Sequence, residues 1–352
     1  MPASSARRLR RLGDHVAPQR CDGEHGEPTV LTVGRHPLEL GSDSLGEMVD
    51  SAPLLAADPA AARERLQRDG FLLLRGIFER ERVLAAGGGI ADKASEEGYD
   101  FADWRPDPTK HPPFFGSSAW RFHPEIGPLL DGPELQHVFD EVFDEPAVTL
   151  DYKWVRATPP TGFTAFHMDN IYMGLGSSRL LTCWIPFVDI PFEVGGLCCL
   201  QGSNRLPGFQ QMRQTYGEHD TMFDDVEGFG PVSSNSPKLL MYDEQARWMT
   251  ASYRAGDILI FAMKTLHGSL ENQSESTVRL SIDCRWQPAA EPIDPRYITD
   301  DEWNKARGID IPPGTCAHES ESLKANSLAA GRRAQKKTRD MFQAKKDWGL
   351  EH

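Results

Sequence analysis

Between Val148 and Gln287 apolar residues recur at every second position, in short runs broken by turn signals. That period sends alternate side chains to opposite faces of an extended chain, so this block is expected to fold as sheet with one face covered. In its first run Val148, Leu150, Tyr152, Trp154 and Arg156 share one face, and Thr149, Asp151, Lys153 and Val155 the other. Further strands are expected at 163–169, 179–188, 197–200, 238–241, 248–253, 258–263 and 277–286. Pro159-Pro160, Gly195-Gly196, Gly202-Ser203 and Ala255-Gly256-Asp257 separate them. Many short strands behind an N-terminal helical layer predict an α+β, mainly β, sandwich or barrel.

Upstream, alanines and arginines at helical spacing predict a helix from Ala56 to Arg68, with Asp58 as N-cap, Pro59 in its first position and Gly70 as its stop. Phe71-Leu72-Leu73-Leu74-Arg75-Gly76 reads as a short buried strand. A second helix is expected from Glu79 to Ala86, interrupted by Gly87-Gly88-Gly89 and resumed from Ala91 to Glu97, and a third over Pro133 to Phe143. Residues 100–128 read as a long loop carrying Trp120-Arg121-Phe122-His123, and the aromatics mixed with an arginine favour a functional loop. Residues 1–45 lack periodicity and read as a mobile extension. Residues 291–352 read as a helical extension, with Leu323, Ala330, Ala334, Met341 and Trp348 near helical spacing among basic residues. It is a candidate lid through Met341, Phe342 or Trp348.

The chain of 352 residues is 39% hydrophobic, enough for a sizeable core, and no apolar run approaches the roughly 18 residues of a membrane span. A formal net charge of −14 argues against a partner nucleic acid. Six cysteines without a CxxC spacing suggest buried thiols in a reducing compartment. Arg7, Arg8, Arg10 and Arg11 are not followed by an apolar stretch, so no secretory signal is expected and the cytoplasm is the expected location. Nothing in the sequence opposes a homo-oligomer.

His167-Met168-Asp169 ends one of the strand-like runs. On a strand, residues two apart face the same way, so imidazole and carboxylate can share one metal. With eleven histidines about one His-x-Asp is expected by chance, so the triplet alone is weak. His25-Gly26-Glu27 lies in the unpatterned extension, and His123-Pro124-Glu125 carries a proline that argues against a central strand. The third ligand is expected from His267, just beyond the apolar run Ile258-Leu259-Ile260-Phe261-Ala262-Met263. Two histidines and one carboxylate suit Fe(II) with open positions. Arg279 sits within the last strand, where a guanidinium needs an anionic partner: Asp283, Asp151, or the far carboxylate of a bound dicarboxylate.

The ordered set resembles the phytanoyl-CoA dioxygenase-like branch of the Fe(II)/2-oxoglutarate-dependent oxygenases, from about Arg65 to Gln287. The likeness includes Asp69-Gly70-Phe71, His167-Met168-Asp169, Thr182-Cys183-Trp184-Ile185-Pro186, Gly195-Gly196-Leu197, Gln201-Gly202-Ser203-Asn204, Ala255-Gly256-Asp257, His267-Gly268-Ser269 and Arg279-Leu280-Ser281. Asn204 departs from a histidine common at that position in the family. The resemblance implies a double-stranded β-helix flanked by helices, forming a catalytic domain over residues 46–290. It implies Fe(II) held by His167, Asp169 and His267, and 2-oxoglutarate gripped by Arg279, with Ser269 and Thr182 assisting and Trp184 lining the pocket. It implies consumption of O2 and release of succinate and CO2, in secondary metabolism.

Halogenating relatives replace the carboxylate with a small residue. Asp169 therefore favours C–H oxidation: hydroxylation, desaturation, cyclisation or epoxidation. Arg121, Phe122, Arg156, Tyr172 and Met173 are the candidate substrate residues, and an arginine among them favours a small carboxylate-bearing metabolite. Nothing resembles a dedicated coenzyme A site. The competing expectation is a non-catalytic cupin-like binding protein.

Overall fold

Short polar caps and glycines delimit the elements of the computed structural model, which describes residues 29–96, 116–117, 123–174, 176–216, 231–294 and Tyr297. In chain order the N-terminal half contributes β1 (Val30–Val33), β2 (His36–Glu39), β3 (Leu45–Glu47), α1 (Ala52–Ala57), α2 (Pro59–Asp69), β4 (Phe71–Leu74), α3 (Arg80–Glu96), β5 (Gly116–Ser117), α4 (Gly127–Leu130) and α5 (Pro133–Phe143). Then follow β6 (Ala147–Thr149), β7 (Lys153–Thr158), α6 (Asn170–Met173), β8 (Leu181–Pro186), β9 (Leu197–Gln201), α7 (Gln210–Thr215), α8 (Ser236–Leu240), β10 (Arg247–Thr250), β11 (Ile258–Ala262), β12 (His267–Ser269) and β13 (Arg279–Pro288). The α2 boundaries follow the expected chemistry. The Asp58 side chain accepts the Ala61 N–H, Pro59 opens the helix, and Gly70 closes it at φ 88°, where a side chain would be strained.

The larger sheet runs β4-β11-β8-β13-β7-β5, with β6 also pairing β13, and each pairing is antiparallel. The smaller runs β12-β9-β10-β3, with β3 parallel to β10. Leu197 and Cys199 of β9 share one core with Trp184, Ile260 and Ile282 of the larger sheet, so the two sheets close on each other. Strand β13 divides its residues cleanly. Leu280, Ile282, Cys284 and Trp286 join the hydrophobic core, where Trp286 stacks on Phe139 of α5 at 4.8 Å between centroids. On the alternate positions Arg279, Ser281, Asp283, Arg285 and Gln287 are also buried. A buried polar row of this kind needs internal partners, and it faces the site described below.

Several expectations are corrected. From Val30 onward the chain is not an unpatterned extension: β1 and β2 pair, Val33 and Leu45 are fully buried, and the Glu271 N–H donates to the Thr32 carbonyl. Helix α3 runs through the three glycines without interruption. A Cβ on Gly87 would stand 2.7 Å from the Phe187 carbonyl oxygen, so that glycine serves close packing and does not end the helix. Where a strand was expected over 238–241 the chain forms the helix Ser236–Leu240, because Asn235 caps the Lys238 N–H and proline occupies the first turn. The run from Val148 to Arg156 splits in two, since the Leu150 and Asp151 amides turn to the carbonyls of Arg285 and Tyr297. Residues 163–169 form no ladder. Their amides are satisfied piecemeal: Thr164 by the Ser269 hydroxyl, Phe166 by the Ser233 carbonyl and His167 by the His267 carbonyl. Residues 1–28, most of the 100–128 loop and residues 298–352 lie outside the described residues.

Candidate metal centre

Two backbone hydrogen bonds assemble the centre. The His167 N–H donates to the His267 carbonyl at 2.9 Å, and the His267 N–H returns the bond at 3.0 Å. This bridge sets the two imidazoles 4.3 Å apart between centroids. Each Nδ1 lies 2.9 Å from the carbonyl oxygen two residues upstream, Ala165 for His167 and Thr265 for His267. A carbonyl only accepts, so both Nδ1 atoms carry the proton and both Nε2 lone pairs are free. Burial, with His167 beside it, pushes His267 down to about 3, which keeps its imidazole neutral.

Asp169 reaches the same point without a strand. At φ −70° and ψ −18° it is already helical, as the N-cap of α6, and this turn swings its carboxylate back toward the histidines. Its Oδ1 lies 3.6 Å from His167 Nε2 and 3.7 Å from His267 Nε2. Its Oδ2 accepts from the Thr182 hydroxyl and forms an ion pair with Arg285 Nη2 at 3.2 Å. Burial alone would raise this carboxyl, but the Arg285 guanidinium beside it holds it well below the usual carboxylate range. One oxygen is thus occupied by the protein while the other faces two nitrogen lone pairs. The three ligand atoms lie within 4.8 Å of one another, and all three residues are buried. Two imidazole nitrogens and one ionised oxygen donor on one side fit a divalent iron-type ion with positions left open.

Arg279 is fully buried, and none of its partners among the described residues is a carboxylate. Nη1 donates to the Gly195 carbonyl at 2.6 Å, Nη2 to the Thr158 hydroxyl at 2.8 Å, and Nε has no acceptor among the described residues. Burial, with Arg156 nearby, holds its pKa down to about 10. Asp283, offered from the sequence as its partner, instead binds Arg156 Nε at 2.6 Å. Ser269 is brought near Arg279 through Thr164, whose N–H it accepts and whose hydroxyl lies 3.4 Å from Arg279 Nη2. Thr182 is placed on the metal-facing carboxylate and not beside Arg279. Trp184 is buried edge-on against Tyr253 and is not among the residues lining the cavity at His167.

That cavity measures about 450 Å³ and is walled by Trp154, Arg156, His167, Tyr172, Met173 and Arg285 among others. The structure therefore brings Arg156, Tyr172 and Met173 to the cavity beside His167, whereas Arg121 and Phe122 lie outside the described residues. Burial pushes the Tyr172 phenol up, so it stays a neutral hydrogen-bonding group. Sequence reasoning missed Arg285, Thr158 and Thr164. Arg285 was reachable, because it continues the two-residue period that begins at Arg279. The threonines belong to other segments and carry no distinguishing signal.

Residues 66–280 match the phytanoyl-CoA dioxygenase (PhyH) family. Ectoine dioxygenases of Bordetella parapertussis and Bordetella bronchiseptica are each 27% identical to the chain over 238 residues, covering 63% of this chain and 72% of theirs. Among solved structures, the non-haem alpha-ketoglutarate-dependent carbocyclase SnoK from nogalamycin biosynthesis superposes with a TM-score of 0.52 at 19% identity, over 76% of this chain and 96% of its own. EctD from S. alaskensis with 2-oxoglutarate and 5-hydroxyectoine gives 0.50 at 17% identity, over 68% and 80%. At these identities the likeness speaks to fold, and the fold is the double-stranded β-helix.

Proposed function

This chain belongs to the phytanoyl-CoA dioxygenase family as a non-haem Fe(II)/2-oxoglutarate-dependent dioxygenase, and from that premise we propose its ligands, its co-substrate anchor and its substrate class. His167, Asp169 and His267 hold the iron, and the cavity beside them takes a small carboxylate-bearing metabolite whose C–H bond is oxidised. When bound, iron with 2-oxoglutarate and O2 supplies the oxidant for that bond, with succinate and CO2 as co-products.

The observation that carries the ligand assignment is the tautomer lock. Both Nδ1–H groups are spent on carbonyls, so both Nε2 atoms meet Asp169 Oδ1 with lone pairs forward. Thr182 and Arg285 hold the other carboxylate oxygen, which leaves one oxygen of Asp169 for the metal. Arg279 supports the co-substrate assignment. A buried guanidinium lacking a carboxylate is costly, and the far carboxylate of 2-oxoglutarate supplies one. The cavity's volume lies within the range of small-molecule sites, and Arg156 and Tyr172 on its wall are placed to orient polar groups of the substrate. The reaction class is C–H oxidation, because a carboxylate stands where a halide would need space.

The test is stoichiometric iron content together with 2-oxoglutarate-dependent succinate release. His167→Ala is expected to lose both, and full turnover by that variant would sink the ligand assignment.

A further inference from the structure

Two side chains hold Asp169 Oδ2, and only one of them brings a charge. Thr182 of β8 and Arg285 of β13 stand opposite each other in the antiparallel ladder, and both reach the same carboxylate oxygen. The Thr182 hydroxyl donates to that oxygen and orients it without a charge. Arg285 adds an ion pair, with Nη2 at 3.2 Å, while Asp283 Oδ2 lies farther from the same nitrogen at 3.8 Å. The Arg285 side chain is 1% exposed, and Nε and Nη1 are buried with no acceptor among the described residues. A buried guanidinium this short of acceptors costs stability, so hydrogen bonding does not account for its presence. Its charge does. Trp154 fixes where that charge sits, with its ring centroid 4.7 Å from the guanidinium carbon.

A fixed positive charge beside a metal ligand acts on the metal itself. Repulsion between a buried cation and the ion grows with the charge of the ion, so it opposes the ferric state more than the ferrous one. A carboxylate already paired with a guanidinium also gives less electron density to the metal, which works in the same direction. Asp169 is the single carboxylate of the triad and thus its source of negative charge. Arg285 offsets that charge from Oδ2, while Oδ1 faces the two histidines.

We propose that Arg285 is a positioning residue acting through Asp169, whose charge holds bound iron in the ferrous form. Dioxygen combines with ferrous and not with ferric iron, so this bias keeps the resting site ready for the next turnover. The two partners of Oδ2 then divide the work: Thr182 orients the carboxylate, and Arg285 sets the charge the metal meets. This inference deepens the proposed function and rests on it for the identity of the metal.

The test is the reduction potential of iron bound to the full-length protein, measured anaerobically by spectroelectrochemical titration without 2-oxoglutarate, so that no turnover takes part. Arg285→Gln keeps a donor and drops the charge. It is expected to raise the ratio of ferric to ferrous affinity about tenfold or more, a fall in potential of about 59 mV or more for a one-electron couple. Arg285→Lys retains the cation without the fork and is expected to keep the ratio within about threefold of wild type. Thr182→Val leaves the charge in place, and it too is expected to stay within about threefold. Should the glutamine variant fail to fold by circular dichroism, Asp283→Asn takes its place. It removes the carboxylate 3.8 Å from Nη2, leaves the arginine charge less compensated, and is expected to raise the potential. An unmoved potential in Arg285→Gln, an equal fall in Arg285→Lys or Thr182→Val, or no rise in Asp283→Asn would overturn the proposal. Those results leave the oxygenase reading standing, whereas a wild-type chain that binds no iron overturns both.

Discussion

Replacing Arg279 with methionine separates two roles that a buried arginine can have. Among the described residues this guanidinium has no carboxylate partner, and burial holds its pKa down to about 10 from an ordinary 12.5. That difference corresponds to about 3 kcal/mol against the charged form. Methionine removes this penalty and fills much of the same volume, but it strands the Gly195 carbonyl, at a cost of about 1–3 kcal/mol. The two nearly cancel, so urea melts of the ligand-free variant should stay within about 2 kcal/mol of wild type. Binding should behave quite differently. Removing one partner of a buried charge pair costs about 3–5 kcal/mol, which predicts that 2-oxoglutarate affinity falls by a factor of about 100 to several thousand. Accordingly, saturating 2-oxoglutarate should raise the wild-type melting temperature and leave that of the variant unmoved. Binding by Arg279→Met within threefold of wild type would refute the assignment. A stability loss above about 4 kcal/mol would show instead that the charge is already satisfied within the fold.

Three further outcomes are expected. Thr182→Val removes the hydroxyl that holds Asp169 Oδ2, so iron affinity measured by chelator competition should fall about 10–100-fold with the fold intact. Gly87→Val places side-chain atoms against the Phe187 carbonyl, 2.7 Å from the new Cβ, and should destabilise by about 1–3 kcal/mol or more in urea unfolding. Asp58→Ala exposes the Ala61 amide at the start of α2 and should cost about 1 kcal/mol by the same measurement, whereas Asp58→Asn should be close to neutral.

What the sequence made legible was local chemistry and order along the chain. Asp58, Pro59 and Gly70 bound α2 because capping depends on a few adjacent residues. His167, Asp169 and His267 were identifiable because ligand chemistry restricts residue type so severely. How they meet was not legible. Equal faces of a strand were the expected device, but a backbone bridge between two histidines and a helical turn at Asp169 do the placing. The bridge depends on pairing partners a hundred residues apart. The glycines of α3 misled for a similar reason. Gly87 looks like a breaker until Phe187, from a distant segment, is seen against it. Asn235 and the proline after it did carry a helix-start signal, which the apolar residues behind them obscured.

The alternation along β13 has a consequence for how such a chain can change. Arg279 and Arg285 sit six residues apart on one face, about 20 Å along an extended strand, and between them stands the Asp283 that ties down Arg156. A strand acts here as a rigid ruler, fixing the span between Arg279, the proposed anchor of the co-substrate, and Arg285 on the Asp169 carboxylate. Because both faces of this strand are buried, inserting or deleting a single residue within that span would turn one arginine into the hydrophobic core and bring an apolar neighbour onto the polar face. Drift in this segment is therefore confined to substitution or to steps of two residues. A descendant that needs a shorter or longer substrate would have to change the walls at Trp154, Tyr172 and Met173 while leaving the ruler alone.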